Sequence, residues 1–442
     1  MASPLLTAPV IPSVLRLAWP GVVLVLFQSA VSIADTHYVG RLGTVPLAGL
    51  ALVFPFVMMM QMLSAGAVGG GVSSAIARAL GAGDRVRAEA LLVHALLLGA
   101  ALGTAFGLLM LLAGPLFYRL LGGQGLAYDQ AIAYSVILFA GSPAVWLANF
   151  CANALRGQGN TLRPSLMLSA AALIHIPLTA WLTPLMGVRG AAWAYVIAFT
   201  LGAAILLVML VRSTTGLRLQ LRGVVWEKRH FRDILSVGLL SSLSAIQTVF
   251  TSLILTGIVA RFGVDALAGY GVGVRLELLL VPLSFAIGAA LVPLVGLNIG
   301  AGQPVRAKRI AFTGAGISAA IAGVIGGVIA LFPQLWLDLF TRDAAVMQAG
   351  SLYLRTVAPF YVFVGLAVAL YFASQGARRV GWPVLAGTFR LLIAAGGGWL
   401  AAESGSQLGG IFFWISCGVV VWGVVTAIAV WRTPWPGAAA TR

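Results

Sequence analysis

Residues 17–40 read LAWPGVVLVLFQSAVSIADTHYVG, and Asp35 is the one Asp, Glu, Lys or Arg among them. About 20 apolar residues suffice for a helix to cross a bilayer, so this stretch predicts a membrane-spanning helix that contains one acid. A carboxylate inside such a helix is energetically costly and is by default a candidate functional residue. On a helix Gln28 and Ser32 lie on the same face as Asp35. We expect this polar stripe to face protein or water.

Pro20 lies about four turns before Asp35 on the same predicted helix. A proline inside a helix removes one backbone hydrogen bond and permits a bend, which makes Pro20 a candidate hinge. Asp35 is the candidate proton-coupling residue. The alternative is that its carboxylate only caps the following turn or pairs with a polar neighbour.

The composition is that of an integral membrane protein: 60% of the 442 residues are hydrophobic and 9% are charged, and the mean hydropathy is +1.02. The amino terminus has neither a basic leader nor a small-residue cleavage site, so we predict no removable signal peptide. We predict an all-α protein with twelve transmembrane helices, because apolar stretches of spanning length recur at about 14–38, 45–77, 88–114, 129–153, 162–184, 187–211, 234–260, 264–297, 306–332, 344–372, 380–402 and 407–431.

The net charge of +16 does not indicate nucleic-acid binding, because the basic residues follow the predicted loops and form no basic domain. With both termini inside, 19 of the 27 Lys and Arg fall in inner loops and tails and five in outer loops. This asymmetry is the one that the positive-inside rule describes. It predicts cytoplasmic termini and an even number of spans.

Two segments of the first half recur in the second half. RLGTVPLAGL at 41–50 aligns with RFGVDALAGY at 261–270, and GAGDRVRA at 81–88 aligns with GAGQPVRA at 300–307. We therefore predict two six-helix lobes, 1–212 and 234–442, joined by a cytoplasmic linker at 213–233. Because six is even, a pseudo-twofold axis along the membrane normal relates the lobes, and a cavity is expected between them. The repeat places Leu255 at the position equivalent to Asp35.

Other polar and flexible side chains within spans are candidates for lining a substrate cavity. The alternative for each is ordinary interhelical hydrogen bonding or packing. The candidates in the first half are Gln28, Ser32, Met58, Gln61, Met62, Asn149, Asn153, His175, Thr179 and Tyr195. The second half has four charged residues within spans, for which both an ion-pair network and a substrate role remain open: Arg275, Glu277, Arg355 and Arg390.

Several classes of site are not predicted. The Gly-rich turns GAGD and GAGQ lack GxxxxGK[ST] and do not follow a strand, which argues against a phosphate-binding loop. Cys151 and Cys417 are too few for a disulfide framework or a thiolate metal site. We expect a protein that is not an enzyme and that needs no cofactor or metal.

The chain resembles the multidrug and toxic compound extrusion (MATE) family, and its first-span acid, with seventh and tenth spans that carry no charge apart from Arg355, resembles the DinF-like branch of that family. Five motifs in order carry the family resemblance. They are ADTHYVGRLG after the Pro-bearing first span, the GAGD and NIGAG turns, LRGQGNTLRP after the fourth span and GVRGAAWAYV entering the sixth. The resemblance covers nearly the whole chain. It implies two lobes arranged in a V and drug export driven by protons or sodium.

The resemblance also implies roles for individual residues. Asp35 matches the first-span acid of the family, and Pro20 matches its bending proline. The Asn and Asp expected in the fifth span fall on His175 and Thr179, and the threonine expected in the sixth span falls near Tyr195. A hard cation such as sodium needs several oxygen ligands, whereas a proton needs one acid. The missing second carboxylate therefore favours protons.

Our leading prediction is a monomeric, proton-coupled exporter of amphipathic, cationic, drug-like compounds in a bacterial cytoplasmic membrane. A sodium-coupled drug antiporter is one alternative. A flippase for lipids or lipid-linked precursors is another, for which Arg275 and Arg355 would be the relevant residues. A third is a membrane scaffold or receptor that transports nothing, which flux measurements would distinguish.

Overall fold

The computed structural model describes residues 4–212, 216–219 and 226–436, with the exception of the Leu278 side chain. Residues 213–215 and 220–225 of the predicted linker lie outside the described residues. Every regular element in the described ranges is helical. The prediction of an all-α chain is therefore confirmed.

The helices of the first half are long and joined by short turns. In chain order they are α1 (Val10–Gly40), α2 (Thr44–Gln61), α3 (Val68–Gly81), α4 (Arg85–Leu120), α5 (Gly125–Ala140), α6 (Ser142–Gly157), α7 (Leu162–Met186) and α8 (Val188–Val211). A π-helical turn, Met62–Ala67, joins α2 to α3 and makes them one continuous span.

The helices of the second half are α9 (Lys228–Ala260), α10 (Val264–Gly300), α11 (Pro304–Leu331), α12 (Gln334–Leu337), α13 (Ala344–Val357), α14 (Tyr361–Gly376), α15 (Gly381–Leu391), α16 (Gly397–Glu403) and α17 (Leu408–Arg432). A second π-helical turn, Leu392–Gly396, joins α15 to α16. A 3-10 turn, Ala358–Phe360, joins α13 to α14.

Within the described residues, eleven helical spans are long and apolar enough to cross a membrane, and α5 with α6 makes the twelfth. This confirms the predicted twelve. The span predicted at 129–153 is bent by 48° where α5 meets α6. The break lies at Gly141, whose added Cβ would be 2.4 Å from a methyl carbon of Val196, and Pro143 is the second residue of α6. Close packing against α8 and a proline without an N–H therefore produce the bend.

Contacts divide the chain into two compact units, which follow the two sequence halves except at the starts of α1 and α9. Unit A runs from Trp19 to Leu239 and has an apolar core around Tyr118, Phe139 and Phe150. Unit B comprises the residues up to Ala18 and those from Leu240 onward. One of its apolar cores includes Tyr353 and Phe412, and another includes Leu291 and Val14. Both α1 and α9 begin in one unit and continue in the other.

The first turns of α9 are held in unit A by a buried ion-pair cluster. Asp233 accepts from Arg78 Nη2 at 2.7 Å and from Arg87 Nη2 at 2.9 Å. The repeat places Arg306 at the position of Arg87, and within unit B Arg306 donates to the carbonyl oxygen of Ala8, before α1. Equivalent arginines thus hold the starts of the two helices that cross between units.

Candidate functional site

Asp35 of α1 is held by two side chains of α7. Its Oδ1 accepts from His175 Nε2 at 2.7 Å and from Thr179 Oγ1 at 3.1 Å. His175 and Thr179 are one turn apart on α7, so both donors face the same point on α1. The Asp35 side chain is 14% exposed and the His175 side chain is 2% exposed. The arrangement is a nearly buried carboxylate whose one oxygen is bound by an imidazole and a hydroxyl.

A line of polar side chains continues from this carboxylate into unit A. The His175 ring meets the Tyr195 ring edge-on, with centroids 5.8 Å apart. The Tyr195 hydroxyl accepts from Gln61 Nε2 at 2.6 Å. Gln61 Oε1 in turn accepts from Asn149 Nδ2 at 3.0 Å. With Thr179, the structure therefore brings six predicted candidates from five helical spans, α1 among them, into one connected cluster.

The cluster ends at the π-helical turn Met62–Ala67. Asn149 Nδ2 also donates to Ser64 Oγ at 2.8 Å, and Asn153 Nδ2 donates to the Ala65 carbonyl oxygen at 3.1 Å. A π turn shifts the backbone register and often marks a functional site. Ser64 was missed by the sequence analysis. Its signal was a second polar residue one turn after Gln61, on the face that Gln61 shares.

The remaining first-half candidates lie at the edge of the cluster or outside it. The Gln28 side chain is exposed and Ser32 is half-buried. Met58 is 42% exposed, while Met62 is half-buried within the π turn. Pro20 lies inside the continuous helix α1, directly beside the unit boundary at Ala18 and Trp19.

The equivalent place in unit B is apolar. Leu255 of α9 stands where the repeat places the counterpart of Asp35, and it is buried. The counterparts of His175 and Thr179, at an offset of 219, are Ala394 and Gly398. An added Cβ on Gly398 would lie 3.8 Å from Leu255 Cδ2, so the counterparts of Thr179 and Asp35 are also neighbours in unit B. One unit therefore holds an acid, an imidazole and a hydroxyl where the other holds small and aliphatic side chains.

The charged residues in the spans of unit B do not gather into one network. Arg390 Nη2 donates to Glu277 Oε1 at 3.0 Å, and the Arg390 guanidinium lies 4.7 Å from the centroid of the Trp422 ring. Arg275 lies 5.2 Å from the centroid of the Phe340 ring, and the Arg355 side chain is exposed. Glu277 and Arg390 thus form one ion pair between α10 and α15.

Comparison with known proteins gives one family. The family model described as MatE matches residues 20–181 and 241–400, one match in each half of the chain. The FAD transporter of Shewanella oneidensis is 26% identical over 388 residues, which cover 85% of this chain and 84% of that protein. The multidrug resistance protein NorM of Burkholderia vietnamiensis is 26% identical over 434 residues, which cover 94% of this chain and 92% of that protein.

A solved structure resembles the chain over almost its whole length. It is a MOP superfamily transporter from Pyrococcus furiosus, with a TM-score of 0.91 and 26% sequence identity. The match covers 98% of this chain and 100% of that chain. For the Pyrococcus furiosus transporter, the reverse polarity of the binding pocket suggests a different function.

Proposed function

The chain belongs to the MatE family, and from that premise we propose that it is a secondary active exporter of amphipathic, cationic organic compounds in exchange for protons. Relatives named as multidrug resistance proteins support the substrate class. One observation supports the exchange: Asp35, in an otherwise apolar span, is bound by the imidazole of His175 and the hydroxyl of Thr179. No covalent chemistry on the substrate is needed for this function.

The Asp35–His175 pair would act through its net charge. With the carboxylate ionised and the imidazole neutral, the pair carries one negative charge in a site of low polarity, where it attracts a cationic substrate strongly. When one proton binds, the pair has no net charge, whichever of the two groups holds the proton. The attraction for the cation is then lost and the substrate is released. One proton thus exchanges for one positive charge of the substrate.

Protons fit this site better than sodium does. A hard cation is bound by several oxygen atoms, whereas the contact made by His175 presents an N–H group to the carboxylate. An N–H donor repels a metal cation and is already in place to share a proton with Asp35. Tyr134 and Tyr195 are buried and lie close enough to Asp35 to feel its charge.

The change in charge would reach the rest of the molecule through α1. This helix carries Asp35, contains Pro20, and passes from one contact unit to the other between Ala18 and Trp19. A helix bends most easily where proline has removed a hydrogen bond. We propose that protonation of the pair favours a bend of α1 at Pro20. The protein is further proposed to work as a monomer in a bacterial cytoplasmic membrane, with both termini in the cytoplasm.

A flippase for lipids or lipid-linked precursors is the second candidate. Arg275 and Arg355 carry exposed cationic side chains on spans of unit B, which suits an anionic head group. The FAD transporter from Shewanella oneidensis also carries a name that indicates an anionic substrate. Transport of ethidium without transport of a fluorescent phospholipid would favour the exporter.

Flux measured in proteoliposomes under one imposed gradient at a time tests the proposal. Ethidium should be driven by a proton gradient in the absence of sodium, and collapse of that gradient with a protonophore should stop it. A sodium gradient at equal pH on both sides should drive little flux. Flux driven by sodium alone would show that the assignment of the coupling ion is wrong while leaving drug export intact.

A further inference from the structure

Unit B carries its own charged cluster inside a span, formed by Glu277 of α10, Arg390 of α15 and Trp422 of α17. The Glu277 and Arg390 side chains are each 15% exposed. The span Gly381–Glu403 places Arg390 roughly 14 Å from one helix end and roughly 20 Å from the other. The ion pair therefore lies well inside the membrane-spanning part of the chain.

Packing does not require this pair. Charged side chains in a membrane span are costly, and buried ion pairs are often replaced by apolar residues with no loss of stability. The internal repeat shows such a replacement, because Val57 stands at the position equivalent to Glu277 and Ala171 at that of Arg390. The two halves share one fold with and without the pair. The pair in unit B is therefore a candidate for a role other than packing.

The pair has unused hydrogen-bonding capacity. A guanidinium has five N–H groups, and in the described part of the chain Arg390 donates one of them, to Glu277 Oε1. The other nitrogens of Arg390 and the second oxygen of Glu277 are not among the buried atoms that lack a hydrogen-bond partner. Since the described residues give them no partner, these atoms keep some accessible surface. The Trp422 ring centroid lies 4.7 Å from the guanidinium, and the edge formed by the nitrogens that do not contact Glu277 keeps some accessible surface. A carboxylate fits such an edge, because the N–H groups of arginine form a planar fork.

The backbone beside Arg390 is irregular in the same way as the backbone of the unit A cluster. The π-helical turn Leu392–Gly396 begins two residues after Arg390. The π-helical turn of unit A, Met62–Ala67, begins directly after Gln61. Single π turns are frequent at functional sites. In both units, one of these turns adjoins the polar side chains of the span.

We propose that Glu277, Arg390 and Trp422 form a second binding site, for amphipathic aromatic compounds that carry a carboxylate as well as a positive charge. The carboxylate binds the open edge of Arg390, the positive group binds Glu277, and an aromatic ring packs against Trp422. The existing ion pair is exchanged for two pairs with the ligand, so no charge is left unpaired. That the bound compound is exported rests on the proposed function, whereas the binding itself does not.

Two dyes that differ at one group test the site. Rhodamine 110 has a free carboxylate, and rhodamine 123 is its methyl ester. Binding of each dye to the purified full-length protein is measured by fluorescence anisotropy. The variant Glu277→Gln/Arg390→Gln keeps size and hydrogen bonding but removes both charges. It should bind rhodamine 110 about tenfold or more weakly, as expected for a lost charge-assisted contact, and its affinity for rhodamine 123 should change little.

Two further variants complete the comparison. Arg261→Gln/Glu403→Gln removes an exposed ion pair of unit B whose atoms are 2.8 Å apart, and it should change neither affinity. Arg390→Lys keeps a positive charge beside Glu277 but loses the planar fork, so it should weaken rhodamine 110 selectively even if the double variant folds poorly. Equal losses for both dyes, or no loss for rhodamine 110, would overturn the proposed site. Ethidium export by the same variants reports separately on the proposed exporter function.

Discussion

At the scale of single residues, the two halves of the molecule differ in charge at a pair of equivalent positions, Asp35 and Leu255. The two occupy equivalent positions of the repeat and pack against equivalent residues of α7 and of the α15–α16 span. A fold that accepts leucine at this place does not need a carboxylate for packing. The acid in unit A is therefore better explained by transport than by stability, although it contributes contacts that hold α1 to α7.

Asp35→Asn should abolish export driven by a proton gradient, because asparagine keeps the size and hydrogen bonding of the side chain but does not titrate. The matched control is Leu255→Asn, which places the same side chain at the equivalent position of unit B and should leave substantial export. Initial rates of ethidium flux per folded molecule give the comparison, with folded protein measured by size-exclusion chromatography. Near-native proton-driven flux in Asp35→Asn would disprove the coupling role.

His175→Gln should shift the pH dependence of export towards lower external pH. Glutamine preserves an N–H donor towards Asp35, but the imidazole that would share the proton is gone. The amide of glutamine does not take up a proton, so the pair loses one of its two basic groups and needs a higher proton concentration to be loaded. Initial rates of ethidium flux between about pH 5 and pH 8 measure the shift. A profile identical to that of the unaltered protein would mean that Asp35 binds the proton alone.

Much of this site was accessible from sequence, but its geometry was not. Asp35, Asn149, His175 and Thr179 stand out because polar residues are rare in apolar spans. The 2.7 Å contact between Asp35 and His175 depends on how α1 packs against α7, which hydropathy does not encode. Ser64 and the π turn around it were missed, since a π turn has the same local composition as an α-helix.

At the scale of elements, α1 and α9 are the two helices that change units along their length. Of these two helices, only α1 has a proline near the residue at which it passes from one unit to the other. This proline is Pro20, and α9 has Leu240 at the equivalent position. The sequence predicted the span positions well because spanning helices require only length and low polarity. The bend at Gly141 was not predicted, because it depends on a contact with Val196 more than 50 residues away.

Pro20→Ala should slow export while raising resistance to thermal unfolding. Alanine restores a backbone hydrogen bond inside α1 and favours the straight helix. If bending of α1 is part of each transport cycle, initial ethidium flux should fall severalfold while dye binding at equilibrium stays close to normal. Unchanged flux in a protein with a higher melting temperature would separate stability from mechanism and exclude Pro20 as the hinge.

The buried ion-pair cluster that holds the start of α9 leads to a separate prediction about stability. Asp233→Asn removes the charge that pairs with Arg78 and Arg87, and it leaves two cations close together at a buried position. Loss of one partner from a buried ion pair typically costs about 3–5 kcal/mol. The control is Glu403→Gln, which removes an exposed partner of Arg261 and should cost at most about 1 kcal/mol. Thermal unfolding in detergent, followed by size-exclusion chromatography, compares the two variants.

At the scale of the whole molecule, charge and hydropathy together determine how the chain should lie in a membrane. Lys and Arg accumulate in alternate predicted loops and in the helix ends beside them, and Arg85, Arg87 and Arg306 lie at the starts of α4 and α11, which the predicted topology places on the cytoplasmic side. The two contact units each contain one candidate site, with an acid–imidazole pair in unit A and an acid–guanidinium pair in unit B. The duplicated fold thus carries two sites of different charge.

Reporter fusions test this topology over the whole chain. A cytoplasmic reporter such as a fluorescent protein should be active after Leu80, within 213–233 and at the carboxyl terminus, because these positions belong to the basic side. A periplasmic reporter should be active in the turn at 121–124, between α4 and α5, which the same assignment places outside. If the reporter in 213–233 were periplasmic, each half would contain an odd number of spans. The halves would then be inverted with respect to each other, and Leu255 would no longer lie at the membrane depth of Asp35.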